Sequence, residues 1–472
     1  MVGRCRARTQ GGKYMAELPS GTSRRSVGWE FRTVRWIVRH PGAVVGPGAA
    51  GVSVAELGAT ATGGVVGGLV LGAAAWYRGH PDTFDVWAAP VLRAWRRRWA
   101  GAYRSRRWVN LMGSCGLTKV HHKTGETLVP RVLRVRAWSP SIDTVRVRLV
   151  PGQALRAFSA VLPELAATLK AERVAVEQGR PGEVVLIVQR DEPFDRVIPA
   201  PAMPESSDAV DLRSLCLGET ELGEEWREPL IGTHHLTAGA TGAGKNSVVM
   251  AKLRAVAPMI RDGLVRPWVC DPKLFEFVAL RPILDGRYAD TPEDCAELIA
   301  RFVSNMERKQ KRLQRKGKRG VPVSREHPVD WLILDEVGYL MSYNSEYAHE
   351  ITNACAVISS MGRATNDVID VYVQEPSKDV LPVRDLLPHR VCLRVTSERH
   401  PDMVLGDGAR ERGAIADEIA ADGTSAGIGY RVDGRSRTPR RVRAAYTSDA
   451  DIDELVAFVQ AGPAGPGLRA VA

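Results

Sequence analysis

Cysteine is scarce. The 472-residue chain has seven, an odd number, and no two form a Cys-x-x-Cys pair. That excludes a disulfide framework and a zinc ribbon and fits a reducing compartment. Acidic residues are also short: 54 against 65 lysines and arginines, a formal net charge of +11. The balance excludes a strongly acidic surface and favours anionic partners, nucleic acid or anionic lipid. Apolar residues at 44% and charged residues at 25% are ordinary for a folded protein, and the length suits two or three domains.

Long uncharged runs are few, and the two that matter adjoin near the N-terminus. Pro41 to Ala55 carries no charge, Glu56 interrupts, and Leu57 to Tyr77 is again uncharged. The second run is long enough to span a bilayer core of ~30 Å. Its "GGVVGG" offers the small residues that let membrane helices pack closely. Arginines crowd both flanks, so both ends are expected on the cytosolic side, which needs an even number of spans. The reading is a transmembrane hairpin over 41–77. The competing readings are a Gly/Ala-rich linker and a surface-lying segment. Residues 1–40 read as a basic, disordered N-terminus and 78–130 as a basic juxtamembrane linker. In that linker "LRAWRRRWAGAYRSRRW" mixes Arg with Trp and Tyr, as at a lipid headgroup layer or in a nucleic-acid arm. The location expected is the cell membrane, with the rest of the chain on the cytoplasmic side.

Residues 131–198 read as a small α+β domain. "TVRVRLV" alternates as a strand does, Pro151-Gly152 breaks it, a helical spacing follows over Ala154–Ala171, and two strands flank "GRPG". No catalytic constellation stands there. A Pro-rich linker occupies 199–214, and a larger α/β domain is expected over 215–462 before a tail at 463–472.

In that larger domain one residue is missing from a pattern that is otherwise whole. Gly239-Ala240-Thr241-Gly242-Ala243-Gly244-Lys245 follows an apolar strand and opens a helix. Glycines let backbone N–H groups wrap phosphate oxygens, the helix N-terminus adds positive potential, and Lys245 reaches the outer phosphates. The pattern wants Ser or Thr after the lysine. Here Asn246 stands instead, with Ser247 one place late. "VDWLILDE" supplies the second half of such a site: a buried strand ending in Asp335, which would support Mg²⁺, and Glu336, which would position an attacking water. A neighbouring strand ends in Asp271-Pro272-Lys273. A helix follows, capped by Thr291 with Pro292 at its first position. Its far end, Lys309 to Gly320, is strongly basic, either a solvated helix end or a phosphate-contacting surface. The next strand ends at Gln374, placed to sense the γ-phosphate. Alternating strands and helices imply a parallel sheet with the nucleotide at the strands' carboxyl ends.

The motifs "AGATGAGK", "DPK", "NMERK", "LILDE", "QEPS" and "LPHRVCLRVTS" occur in the order and spacing of the FtsK/SpoIIIE DNA translocases. Roughly 140–460 resembles that family, and the stretch from "QEPSKDV" to "AIADEI" looks most like the transfer proteins of actinomycete plasmids and integrative elements. The resemblance implies a RecA-like P-loop NTPase core with a parallel sheet, preceded by the small α+β domain and the N-terminal transmembrane hairpin. It implies a ring, hexameric by expectation, that uses ATP and Mg²⁺ to move double-stranded DNA in conjugation. Lys245, Asp335, Glu336 and Gln374 would do the chemistry, with Asn246, Ser247 and Asp335 at the metal. Arg390, with Arg363 behind it, would reach a neighbouring subunit's nucleotide. The sequence departs from the family at Asn246 and at Val373-Gln-Glu-Pro376, and too few residues follow Ser448 for a winged-helix DNA reader. The rival readings are a P-loop motor for protein export and a non-hydrolysing, nucleotide-dependent membrane scaffold.

Overall fold

The computed structural model describes residues 58–462 except 59, 62, 66, 140, 275, 318–321, 343–345 and 433–437. It divides into two units, residues 1–85 and 86–472. In the first, the described residues between 58 and 79 are helical. Among the described residues no helix is long and apolar enough to cross a membrane. The first half of the expected hairpin, 41–55, lies outside the described residues, as do 1–40 and 463–472.

The second unit opens with helices α1 (Ala89–Ala100) and α2 (Ser105–Ser114). The sequence reading has 78–130 as a linker; the structure folds much of it into the small domain instead. Tyr103, Trp108, Leu111 and Met112 are buried with Val135, Val145 and Phe158. Trp108 Nε1 donates to the Pro130 carbonyl at 2.6 Å. The arginine-rich composition hid these apolar contacts. The sheet of this domain has the order β1-β2-β4-β3: β1 (Arg131–Ala137), β2 (Ile142–Arg148), β3 (Arg173–Gln178) and β4 (Glu183–Gln189), all antiparallel. Where one helix was expected there are two, α3 (Leu155–Ser159) and α4 (Leu162–Leu169). Pro163 begins the second, because a proline is tolerated only in a helix's first turn.

The large domain is one ten-stranded sheet, ordered β9-β8-β10-β11-β7-β12-β13-β14-β5-β6. Its strands are β5 (Leu215–Thr220), β6 (Glu225–Glu228), β7 (His235–Ala238), β8 (Val265–Cys270), β9 (Tyr288–Ala289), β10 (Val329–Leu334), β11 (Asp367–Val373), β12 (His389–Leu393), β13 (Ile428–Val432) and β14 (Pro439–Ala444). From β9 to β12 all neighbours are parallel, as alternation of strands and helices predicts. From β12 to β6 they are antiparallel, so the sheet is mixed rather than purely parallel.

Strand alternation divides the apolar side chains between two faces. On β10, Leu332 and Leu334 join Phe302 of α6 (Pro292–Arg315) and Ile358 of α7 (Ala348–Met361). Trp331 and Ile333 join Val248 of α5 (Lys245–Ala255) and Leu455 of α8 (Asp449–Gln460). The cap read from sequence is present: the Thr291 side chain accepts the Asp294 N–H at 3.1 Å. Lys309, counted in the basic end of α6, points inward instead. It bonds Asp330 at 2.5 Å and Asp367 at 2.6 Å and is buried. Two buried carboxylates on adjacent strands demand a cation between them.

The small domain is fixed to the sheet through Arg173. Its guanidinium is paired with the buried Glu221 and donates to the Gly413 carbonyl at 2.8 Å.

Candidate nucleotide site

The site lies where the parallel strands end. β7 runs into the loop Gly239–Gly244, and α5 starts at Lys245. The loop is held by its neighbours' backbones. Gly239 N–H donates to the Val373 carbonyl at 2.9 Å, and Ala240 N–H to the Arg394 carbonyl at 2.7 Å. Gly242 and Gly244 have φ of 72° and 88°, conformations that a side chain disfavours. At Gly244 space forbids one as well: a Cβ would lie 2.3 Å from the Gly427 nitrogen. The glycines are therefore required by the loop's shape and by its close packing on β13's approach.

Lys245 is buried, its Nζ donating to the Gly239 carbonyl at 2.9 Å and lying 3.8 Å from Glu336 Oε2. Burial lowers its pKa, opposed by the Glu336 and Asp335 carboxylates. Glu336 follows β10 with φ 41°, a left-handed turn that lifts its carboxylate off the strand. One oxygen, Oε2, accepts from Lys273 Nζ at 2.9 Å and from Gln374 Nε2 at 2.8 Å. Gln374 Oε1 in turn accepts from Thr241 Oγ1 at 3.2 Å, which closes a path from β11's end back to the phosphate loop. Lys245, Glu336 and Gln374, chosen from sequence, thus meet at one place.

Asp335 sits beside them and is 3% exposed. Burial pushes its carboxyl up to about 7, with Glu336 and Asp271 adding to the effect and Lys245 opposing it. Asp271 is also buried. Its Oδ2 accepts from Phe277 N–H at 3.0 Å and Tyr288 OH at 3.1 Å, while its Oδ1 has no hydrogen-bond partner. Such a cluster suits a hard divalent cation, which would take carboxylate oxygens and relieve their repulsion. Among the described residues no group of three or more His, Cys, Asp or Glu side chains is arranged to hold a metal ion by itself, so a cation here would need oxygens of a bound nucleotide as well. Asn246 offers its amide nitrogen to Glu276, and Ser247 N–H bonds the Gly244 carbonyl at 3.1 Å.

Arg390 does not reach this site. Its Nε, Nη1 and Nη2 donate to the carbonyls of Leu387 at 2.7 Å, Val404 at 3.2 Å and Arg384 at 2.9 Å. These three bonds tie Arg390 to carbonyls of its own chain. Arg363 is exposed after α7. Arg394, four residues past Arg390 and just beyond the end of β12, donates to the Thr241 carbonyl at 2.6 Å and braces the loop tip. Sequence reasoning gave no role to Lys273 or Arg394. For Lys273 the signal was there: "DPK" ends the strand adjacent to β10, so its lysine had to lie beside Glu336.

A glycine loop between strand and helix, a buried lysine and a strand-end Asp-Glu define a P-loop ATPase-type domain on a mixed, mostly parallel sheet. Residues 207–408 match the FtsK/SpoIIIE family. DNA translocase FtsK of Sporosarcina ureae is 25% identical over 275 residues, 54% of this chain and 33% of its own length. DNA translocase FtsK of Staphylococcus aureus (strain Mu50) is 23% identical over 341 residues, 68% of this chain and 42% of its own length. The chain thus spans less than half of those relatives' length. The solved structure of the pCW3 conjugation coupling protein TcpA, with ATPγS, aligns at 15% identity and a TM-score of 0.48, covering 74% of this chain and 98% of that one.

Proposed function

We propose that the protein is an ATP-driven motor that moves double-stranded DNA, anchored at the cell membrane and acting in the conjugative transfer of a mobile element. The observation that carries the catalytic part is the convergence of Lys245, Lys273 and Gln374 on one oxygen of Glu336, above an intact phosphate loop. Such a constellation would set a carboxylate beside the outer phosphates and links it to a residue that touches the loop. The relatives named as DNA translocases support duplex DNA as the substrate. The uncharged run Leu57–Tyr77 with arginines on both sides supports the anchor. A homo-oligomeric ring, hexameric by analogy, goes with this reading.

Bound Mg²⁺ would neutralise phosphate charge. Asp335 would hold it through water, with Asn246 or Ser247 supplying the remaining side-chain oxygen. Lys245 would exchange the Gly239 carbonyl for phosphate oxygens. Glu336 would accept a proton from, and orient, the attacking water. Gln374, bonded at once to Glu336 and Thr241, would report phosphate occupancy to β11.

The test is ATP hydrolysis by the purified chain with duplex DNA, single strands and no DNA. Stimulation by duplex alone, abolished in Lys245→Ala and Glu336→Gln, is the expected result. Turnover no faster than Lys245→Ala would overturn the motor and leave a nucleotide-dependent scaffold. Turnover indifferent to DNA would redirect the motor to another cargo.

A further inference from the structure

Helix α1 is turned inside out. Its inward side, Ala89, Arg93, Ala94 and Arg97, packs toward β1, and Arg97 pairs with the fully buried Asp143. Arg190 Nη2 at 3.2 Å and Tyr103 OH at 3.1 Å complete that buried cluster. The outward side carries the apolar residues. Val91 is 66% exposed, Leu92 55%, Trp95 64% and Trp99 36%. Positions 91, 95 and 99, with 92 beside them, recur at helical period and form one stripe. Trp87, at the end of the preceding helix, is 72% exposed. Arg96 and Arg98 are exposed along the stripe, and the Arg104 guanidinium lies 4.3 Å over the Trp99 ring.

A helix that served only its own domain would turn tryptophans in and arginines out. Here a buried carboxylate draws the arginine in, and the aromatic side is left in water. Contiguous apolar surface of this kind marks a docking face. Indole rings flanked by guanidinium groups suit the boundary between acyl chains and phosphates, and an interfacial helix uses that pairing. The uncharged run Leu57–Tyr77 ends just upstream and would bring α1 to the same surface. A nucleic-acid backbone would engage the arginines but gives no use to exposed Val91 and Leu92.

We propose that α1 lies on an anionic lipid surface, with Val91, Leu92, Trp95 and Trp99 among the headgroups and Arg96, Arg98 and Arg104 on phosphates. The small domain would then be held flat against the membrane by Arg97–Asp143. The inference rests on the membrane reading above, though not on a spanning hairpin.

The full chain is reconstituted into phosphatidylcholine vesicles with or without phosphatidylglycerol, using lipids brominated near the headgroup. Wild type is compared with W95F/W99F and with R96E/R98E, each checked for unchanged circular dichroism and unchanged ATP hydrolysis. Expected is bromine quenching that is stronger with phosphatidylglycerol, loses in W95F/W99F the share beyond what Trp76 and Trp87 contribute, and is weakened by salt and by R96E/R98E. Equal quenching in wild type and W95F/W99F, with Trp95 and Trp99 still open to iodide, overturns the proposal. So does concentration-dependent shielding from iodide without lipid, which would mean a second copy, or shielding by duplex DNA in place of vesicles. Carbonate-resistant retention in vesicles reports the anchor separately. Retention with iodide-open Trp95 removes only the α1 inference. Lipid quenching at Trp95 without retention removes only the span.

Discussion

Lys273 Nζ lies 2.9 Å from Glu336 Oε2, a bond between the ends of two adjacent parallel strands, β8 and β10. The catalytic candidate is therefore aimed by its neighbour strand as well as by its own turn. Lys273→Met should lower kcat for ATP by about 10- to 100-fold, the usual cost of a misplaced catalytic group. KM should hold, and Lys273→Arg should retain most activity. Equal loss in both variants would mean that a retained charge is not enough and that the lysine's own placement matters.

Asn246 stands where a hydroxyl is expected and bonds Glu276. Asn246→Ser should leave ATP hydrolysis similar or raised, because Ser restores the usual metal-side oxygen and Ser247 stays in place. Collapse of activity would show that the amide itself is needed.

Arg390 ties two carbonyls of the preceding loop, Leu387 and Arg384, to that of Val404 in a later helix. Arg390→Ala should act on stability, lowering it by about 2 kcal/mol through carbonyls left without donors. Chemical denaturation measures this. In mixtures with wild type the variant should not suppress the wild-type subunits' turnover, as loss of a residue acting across subunits would.

Lys309 holds Asp330 and Asp367 together in the interior. Lys309→Met should cost about 3–5 kcal/mol, because Asp367 loses its cation while Asp330 keeps Arg266. The salt dependence of DNA binding should be unchanged, since this lysine meets no solvent.

His234 is held neutral: burial lowers its pKa to about 4, and Arg363 adds to the effect. The folded pKa lies below the unfolded value near 6.5, so the unfolded chain binds more protons between them. His234 therefore removes stability as pH falls from about 6.5 towards 4. Asp335 at about 7 and Asp367 at about 6 are raised and push the other way. The measurable quantity is thus a difference. The stability gap between His234→Gln and wild type should shift in the variant's favour as pH drops from 7 to 5. A gap independent of pH would mean that His234 is not buried neutral.

The phosphate loop, the Asp-Glu strand and Gln374 were legible because each is a contiguous string whose spacing follows from one turn of chain against a ligand. The parallel half of the sheet was legible for the same reason, since each strand–helix alternation is local. The bonds of Arg390 were not legible, because sequence shows an arginine near a site and not the three carbonyls around it. Lys309 was misread because its partners, Asp330 and Asp367, sit on strands that only the folded sheet brings together. The helices within 78–130 were hidden by arginines that dominate composition, although Tyr103, Trp108 and Leu111 recur on one side.

Strands β5 and β6 are the first of the large domain to be made and pair with each other, yet β5's other neighbour in the sheet is β14, with Thr220 facing Val442. On a ribosome that adds ~5–20 residues per second, the wait for that partner is on the order of ten to forty seconds. Throughout it, β5 presents an unpaired backbone edge that any other extended chain could occupy. Synthesis therefore carries a hazard the finished fold conceals: crowded polysomes or slowed translation should cost this protein yield before they cost it activity.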